Sequence, residues 1–182
     1  MSSNYRLLYL VLVSLLLGCG ATIQTYEQLR QPTAYDLSTY IGGTVFKVER
    51  STDLPNAFGK ADIFGGKITR GFTELRYQGL TSEKKLIFRV TEVETQSNET
   101  TMSRYGGGTS TINTTTSPSG FGSQTYGTVT HQPAPHGKTE MLPPNTTEFV
   151  IDPGKTKELN IVGVRVEILG FDEQSLRYRL TK

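Results

Sequence analysis

The chemistry-bearing side chains of this chain are few, and their spacing limits what they do. The two histidines of the 182 residues, His131 and His136, stand in His-Gln-Pro-Ala-Pro-His-Gly. Two imidazoles become a divalent-metal site only when a further ligand such as Glu140 joins them. The prolines at 133 and 135 extend the segment and remove the helical spacing that would align both rings, so it reads as a solvated loop. Ser82 and Lys85 have the Ser-x-x-Lys spacing in which an amine activates a hydroxyl one helical turn away. Here the segment runs straight into strand-like sequence, whose alternation sends positions three apart to opposite faces. Gly137-Lys138-Thr139 and Gly154-Lys155-Thr156 end like phosphate-binding loops, but Gln132 and Phe149 stand where the first glycine of that loop is required. Asp and Glu are scattered singly, so spacing selects no general acid and base. No residue is assigned as catalytic or metal-binding, and no cofactor is implied.

The one remaining reactive group is the thiol of Cys19, the only cysteine. It follows an apolar run from Leu7 to Leu17 that is too short, at about 11 residues, to cross a membrane needing about 20. Arg6 before the run and small residues after it give the order of a secretory signal peptide over residues 1–18. Leu16-Leu17-Gly18-Cys19 resembles the lipobox of bacterial lipoproteins. The resemblance implies cleavage between Gly18 and Cys19, a diacylglycerol on the Cys19 sulfur and often an acyl chain on its freed amine. Two or three such chains hold a protein on a membrane without a spanning helix. Gly20 and Ala21 in place of an aspartate after the cysteine imply, by the same resemblance, the outer membrane facing the periplasm. The sequons at Asn98, Asn113 and Asn145 have no meaning in such a host.

Cleavage would leave about 164 residues, enough for one core without disulfides. Loss of Arg6 brings the 19 basic side chains to 18 against 17 acidic, so charge gives no case for a nucleic-acid partner. The segment most open to a ligand is Asn56 to Phe72, Asn-Ala-Phe-Gly-Lys-Ala-Asp-Ile-Phe-Gly-Gly-Lys-Ile-Thr-Arg-Gly-Phe. Phe58, Lys60, Lys67 and Arg70 would there offer aromatic faces and cationic heads beside glycines. The preferred use of Phe58, Phe64 and Phe72, however, is as core residues, with the glycines in turns or bulges.

Around these residues the chain reads as mainly β, an antiparallel β-sandwich or small barrel. Residues 19–42 lack a sustained apolar face and read as a tether with one helical turn at most. Residues 43–182 read as a single β domain. Its expected strands are Thr44 to Glu49, Ala61 to Ile68, Phe72 to Gln78, Lys85 to Thr95, Glu148 to Ile151, Leu159 to Leu169 and Leu176 to Thr181. Residues 100–130, roughly two-thirds Thr, Ser and Gly, are a low-complexity insertion or a long hairpin. For the C-terminal hairpin, opposite charges select the register that sets Glu167 against Arg179 and Arg165 against Thr181, with Asp172, Glu173 and Gln174 at the tip. Arg165, Arg177 and Arg179 would then form a basic outer face. Two functions follow as expectations. One is a non-enzymatic, lipid-anchored envelope module that binds an envelope protein or glycan. The other is a small periplasmic hydrolase or metal-dependent enzyme built from scattered carboxylates with His131 and His136.

Overall fold

The computed structural model describes residues 21–119, 122–132 and 136–182. Gly18, Cys19 and the leader therefore lie outside the described residues. The chain is mainly β, and its described residues fall into two compact units, each assembled from separate stretches of sequence.

The larger unit comprises Thr25–Thr52, Lys67–Asn98 and Lys138–Lys182. One of its sheets has the order β1 (Thr25–Leu29), β3 (Thr44–Asp53), β4 (Lys67–Leu80), β5 (Leu86–Ser97). The free side of β5 is shared between β9 (Asn145–Ile151), along Leu86 to Glu92, and β8 (Thr139–Met141), along Thr95 to Ser97. The second sheet runs β10 (Glu158–Ile161), β11 (Val164–Phe171), β12 (Ser175–Thr181), β2 (Asp36–Tyr40). Period-two burial explains why they stack. Val164, Val166, Ile168, Leu176, Tyr178 and Leu180 of one sheet share a core with Val45, Phe46, Val48, Leu75, Tyr77, Leu86 and Phe88 of the other. The Tyr178 hydroxyl donates to Val45 O at 2.8 Å, a polar link between the two sheets. Neither sheet closes on itself, so the unit is a β-sandwich and not a barrel.

The C-terminal register is the one that charge selects. Glu167 faces Arg179 and Arg165 faces Thr181, and the Glu167 carboxylate lies 3.6 Å from the Arg179 guanidinium. Past Ile168 a bulge shifts the pairing, so Gly170 faces Arg177. The tip needs no glycine because Asp172 supplies the turn. Its Oδ1 accepts from Gln174 N at 2.8 Å and Ser175 N at 2.6 Å, while Oδ2 accepts from Ser175 Oγ at 2.6 Å. These bonds favour the ionised carboxylate and hold its pKa below the usual value.

Several elements differ from the sequence reading. Residues 19–42 are not simply a tether, because β1 pairs with the end of β3 and β2 pairs with β12. Edge strands of five residues take their order from distant partners, which leaves little local signal. Leu159 to Leu169 is two strands joined by Val162 and Gly163, with Ile161 opposite Val164. Both loop residues have positive φ, 51° and 70°, the type I′ hairpin arrangement. Ala61 to Ile68 is a turn rather than a strand until β4 begins at Lys67.

The smaller unit contains residues 21–24, Asp53–Gly66 and Glu99–Gly137. It holds a short helix, α1 (Thr101–Tyr105), and the ribbon of β6 (Thr109–Ser119) with β7 (Gly122–Gln132). Of the two readings of residues 100–130, the long hairpin is the one found. Its register runs from Thr109 opposite Gln132 to Ser119 opposite Gly122. The Thr-rich β-propensity of both arms accounts for the pairing, which among the described residues involves no third strand.

Candidate functional site

The segment Asn56–Gly66 forms two turns built on one local rule. In the first, Asn56 Oδ1 accepts from Phe58 N at 2.9 Å and Lys60 N at 3.0 Å, and Gly59 N donates to Asn56 O at 3.1 Å. In the second, six residues on, Asp62 Oδ2 accepts from Gly66 N at 3.0 Å and Gly65 N donates to Asp62 O at 3.4 Å. Each turn therefore has an Asx side chain holding the amide four residues ahead and a glycine three residues ahead. Gly59 and Gly65 have φ of 69° and 71°, a left-handed geometry that a side chain would strain. The residue before each glycine is a phenylalanine, placed at the turn tip. Phe58 is 89% exposed, Phe64 is 69% exposed, and Ile63 beside it is 86% exposed. Phe58 and Phe64 are thus not core residues. The sequence signal was available as the repeat Asn-Ala-Phe-Gly, Asp-Ile-Phe-Gly, in which Asx and glycine close a turn too short to bury what lies between them. Phe72, by contrast, is partly buried on β4, under the Lys47 ammonium at 4.2 Å.

Helix α1 is fixed to both turns. Thr100 and Ser103 form a capping box at its start, with Ser103 N donating to Thr100 Oγ1 and Thr100 N to Ser103 Oγ. Thr101 N donates to Pro55 O at 2.9 Å, and Thr101 Oγ1 lies 3.2 Å from Asp62 Oδ1. Asp62 is buried, so this carboxylate serves the turn and the helix rather than solvent. From the helix, the Tyr105 ring meets Phe64 edge-on at 5.7 Å, and Met102 of the same helix is exposed. The chain enters this unit by Ala21, whose carbonyl accepts from Ala61 N at 2.9 Å, between the two turns.

The expected ligand surface is distributed over both units. Phe58 and Lys60 stand in the smaller one; Lys67, Arg70, Arg177 and Arg179 belong to the sandwich. Lys67 is spent over the Tyr26 ring at 3.6 Å, and Arg70 Nε donates to Thr52 Oγ1 at 3.0 Å. Arg177 lies against Gly170, and Arg179 is shared between Asp36, at 2.6 Å, and Glu167. Arg165 is within 3.7 Å of Glu158. The outer face of β10 to β12 and β2 is therefore one of alternating charge and not the basic surface expected. The sequence reading lacked β2, and with it Asp36.

Comparison with protein-family models, curated proteins and solved structures finds no match for this chain.

The chemistry candidates remain apart. Lys85 Nζ is 2.5 Å from Glu83 Oε2, and this bond raises the lysine pKa, the opposite of what an amine base beside Ser82 requires. Ser82 itself stands in the turn closed by Lys84 N donating to Thr81 O. Lys138 is paired with Glu140 at 2.8 Å, and Lys155 N and Thr156 N both donate to Asp152 O, so the two Gly-Lys-Thr segments are a strand entry and a turn. His136 borders a shallow cleft of about 390 Å³ with Glu99, Ser103, Arg104 and Gly137, in which Arg104 already holds the Glu99 carboxylate. His131 lies on β7 opposite Ser110. Among the described residues no three of His, Cys, Asp and Glu gather as a metal site, and no helix is long and apolar enough to cross a membrane.

Proposed function

We propose that this protein is a lipid-anchored component of the bacterial cell envelope, acting as a non-enzymatic binding or structural module at the periplasmic face of the outer membrane. The observation that carries the reading is Leu16-Leu17-Gly18-Cys19 at the end of a short apolar run, with the only thiol of the chain at the position a lipobox requires. Ala21, two residues after the cysteine, is already bonded to Ala61, so an acyl anchor at Cys19 would be joined to folded structure by almost no linker. The partner in the envelope is a protein or a glycan. The enzyme alternative draws no support from the positions of Ser82, Lys85 and His136.

Replacing Cys19 by Ser should abolish incorporation of labelled palmitate and leave an unprocessed precursor, because a serine hydroxyl is a far weaker nucleophile than a thiolate. An inhibitor of the lipoprotein signal peptidase should cause the wild-type precursor to accumulate. Maturation indifferent to both treatments refutes the anchor.

A further inference from the structure

The twin turns at Asn56 and Asp62 expose apolar tips that the anchor alone does not explain. Phe58, Ile63, Phe64, Met102 and Tyr105 are all exposed, and they are drawn from two turns and a helix that hydrogen bonds hold together. Several large apolar side chains left exposed on elements held together in this way point to an interaction surface. Their chemistry narrows the partner. Ile63 and Met102 have no group with which to hydrogen-bond a sugar, and the chain has no tryptophan to stack on one. Between Asn56 and Gly66 the one carboxylate, Asp62, is turned inward on Gly66 N and Thr101 Oγ1, while the one cation, Lys60, is exposed; on the helix, Arg104 is paired with Glu99. Apolar tips with a single outward lysine and no outward acid fit the boundary between acyl chains and phosphate head groups.

Ala61, between the two turns, bonds to Ala21, and Gln24 is tied to Asp53 through both Gln24 N to Asp53 Oδ2 at 2.9 Å and Asp53 N to Gln24 O at 3.0 Å. Two residues of fully extended chain span no more than about 7 Å, so an acylated Cys19 would lie within that distance of Ala21. The turns are therefore tethered close to whatever surface holds the anchor. We propose that the two Asx-x-Phe-Gly turns dip into the lipid surface beside the acyl chains of Cys19, giving the module a second membrane contact that fixes its orientation. The proposal rests on the lipobox reading.

The test uses the mature protein purified from bacterial membranes. Acylation consumes Cys19, so Phe58→Cys or Ile63→Cys would supply the only free thiol for an environment-sensitive fluorophore. Each labelled variant is reconstituted into vesicles of phosphatidylethanolamine and phosphatidylglycerol, with nitroxide-bearing lipid as one quencher and aqueous iodide as the other. The N-terminal peptide of the same preparation is weighed by mass spectrometry. Both labels should be quenched severalfold more strongly by the lipid nitroxide than by iodide. An acylated N-terminus with both labels open to iodide overturns the second contact and leaves the anchor standing. Labels shielded from both quenchers overturn it in favour of a second copy of the chain or another macromolecule. An unacylated Cys19 overturns the anchor itself.

Discussion

The two tyrosines in the core of the sandwich should respond to loss of their hydroxyls with opposite signs. Tyr178 is buried on β12 and donates to Val45 O at 2.8 Å. Tyr77 is fully buried on β4, and its hydroxyl has no hydrogen-bond partner among the described residues. Tyr178→Phe removes a made bond and leaves a buried carbonyl short of a donor, a loss of about 1–2 kcal/mol. Tyr77→Phe removes a buried donor that bonds nothing and keeps the ring, a gain of up to about 1 kcal/mol. With about 2–4 °C of melting temperature per kcal/mol for a chain of this size, the two variants should differ by roughly 2–12 °C. Thermal unfolding followed by far-ultraviolet circular dichroism reads this directly. The same pair carries a pH signature. Burial pushes the Tyr178 pKa from 10.0 to about 12, so the folded state keeps its proton where the unfolded chain gives it up. Its contribution is complete below pH 10 and is lost as the pH rises from there to about 12, a slope that Tyr178→Phe should flatten. Equal and same-signed shifts for the two variants would refute the hydrogen-bond assignment.

Val162, at φ 51° in the two-residue hairpin loop, is a β-branched residue in left-handed backbone and is 41% exposed. Val162→Asn should raise stability by about 1 kcal/mol in urea unfolding, and a loss would show that packing of the valine outweighs the strain. Asp172→Ala should lower the melting temperature at neutral pH through loss of the turn bonds. Because the native pKa of Asp172 is depressed, its contribution is present above the ordinary carboxylate range and disappears as the pH falls through the lowered value, where variant and wild type should converge. Replacing residues 109–132 with a short Gly-Ser link should leave the melting temperature within a few degrees, since among the described residues β6 and β7 pair as a two-stranded sheet and loop length contributes only about 0.6 kcal/mol per doubling. A collapse of cooperative unfolding would show that β6 and β7 support the rest.

Local pattern encodes one part of this fold directly. Strict alternation at Val164, Val166, Ile168 and at Leu176, Tyr178, Leu180 specified two strands with one buried face, and the charges of Glu167, Arg179 and Arg165 chose their register. The Leu-Leu-Gly-Cys segment is local in the same sense, since whatever reads it reads a short stretch of chain. Whatever depends on which distant residues meet is set by the folded chain. Strands β1 and β2 exist because Thr25 finds Thr52 and Leu37 finds Tyr178, pairings no window of residues 19–42 contains. The expected basic face became neutral because β2 brings Asp36 to Arg179 across more than a hundred residues of chain. Half of the candidate site was legible as aromatic and glycine spacing. The other half was not, because Phe58 and Phe64 have the composition of core residues, yet among the described residues they stay 89% and 69% exposed at their turn tips. Hydrophobicity is a property of the residue, whereas burial is a property of what covers it.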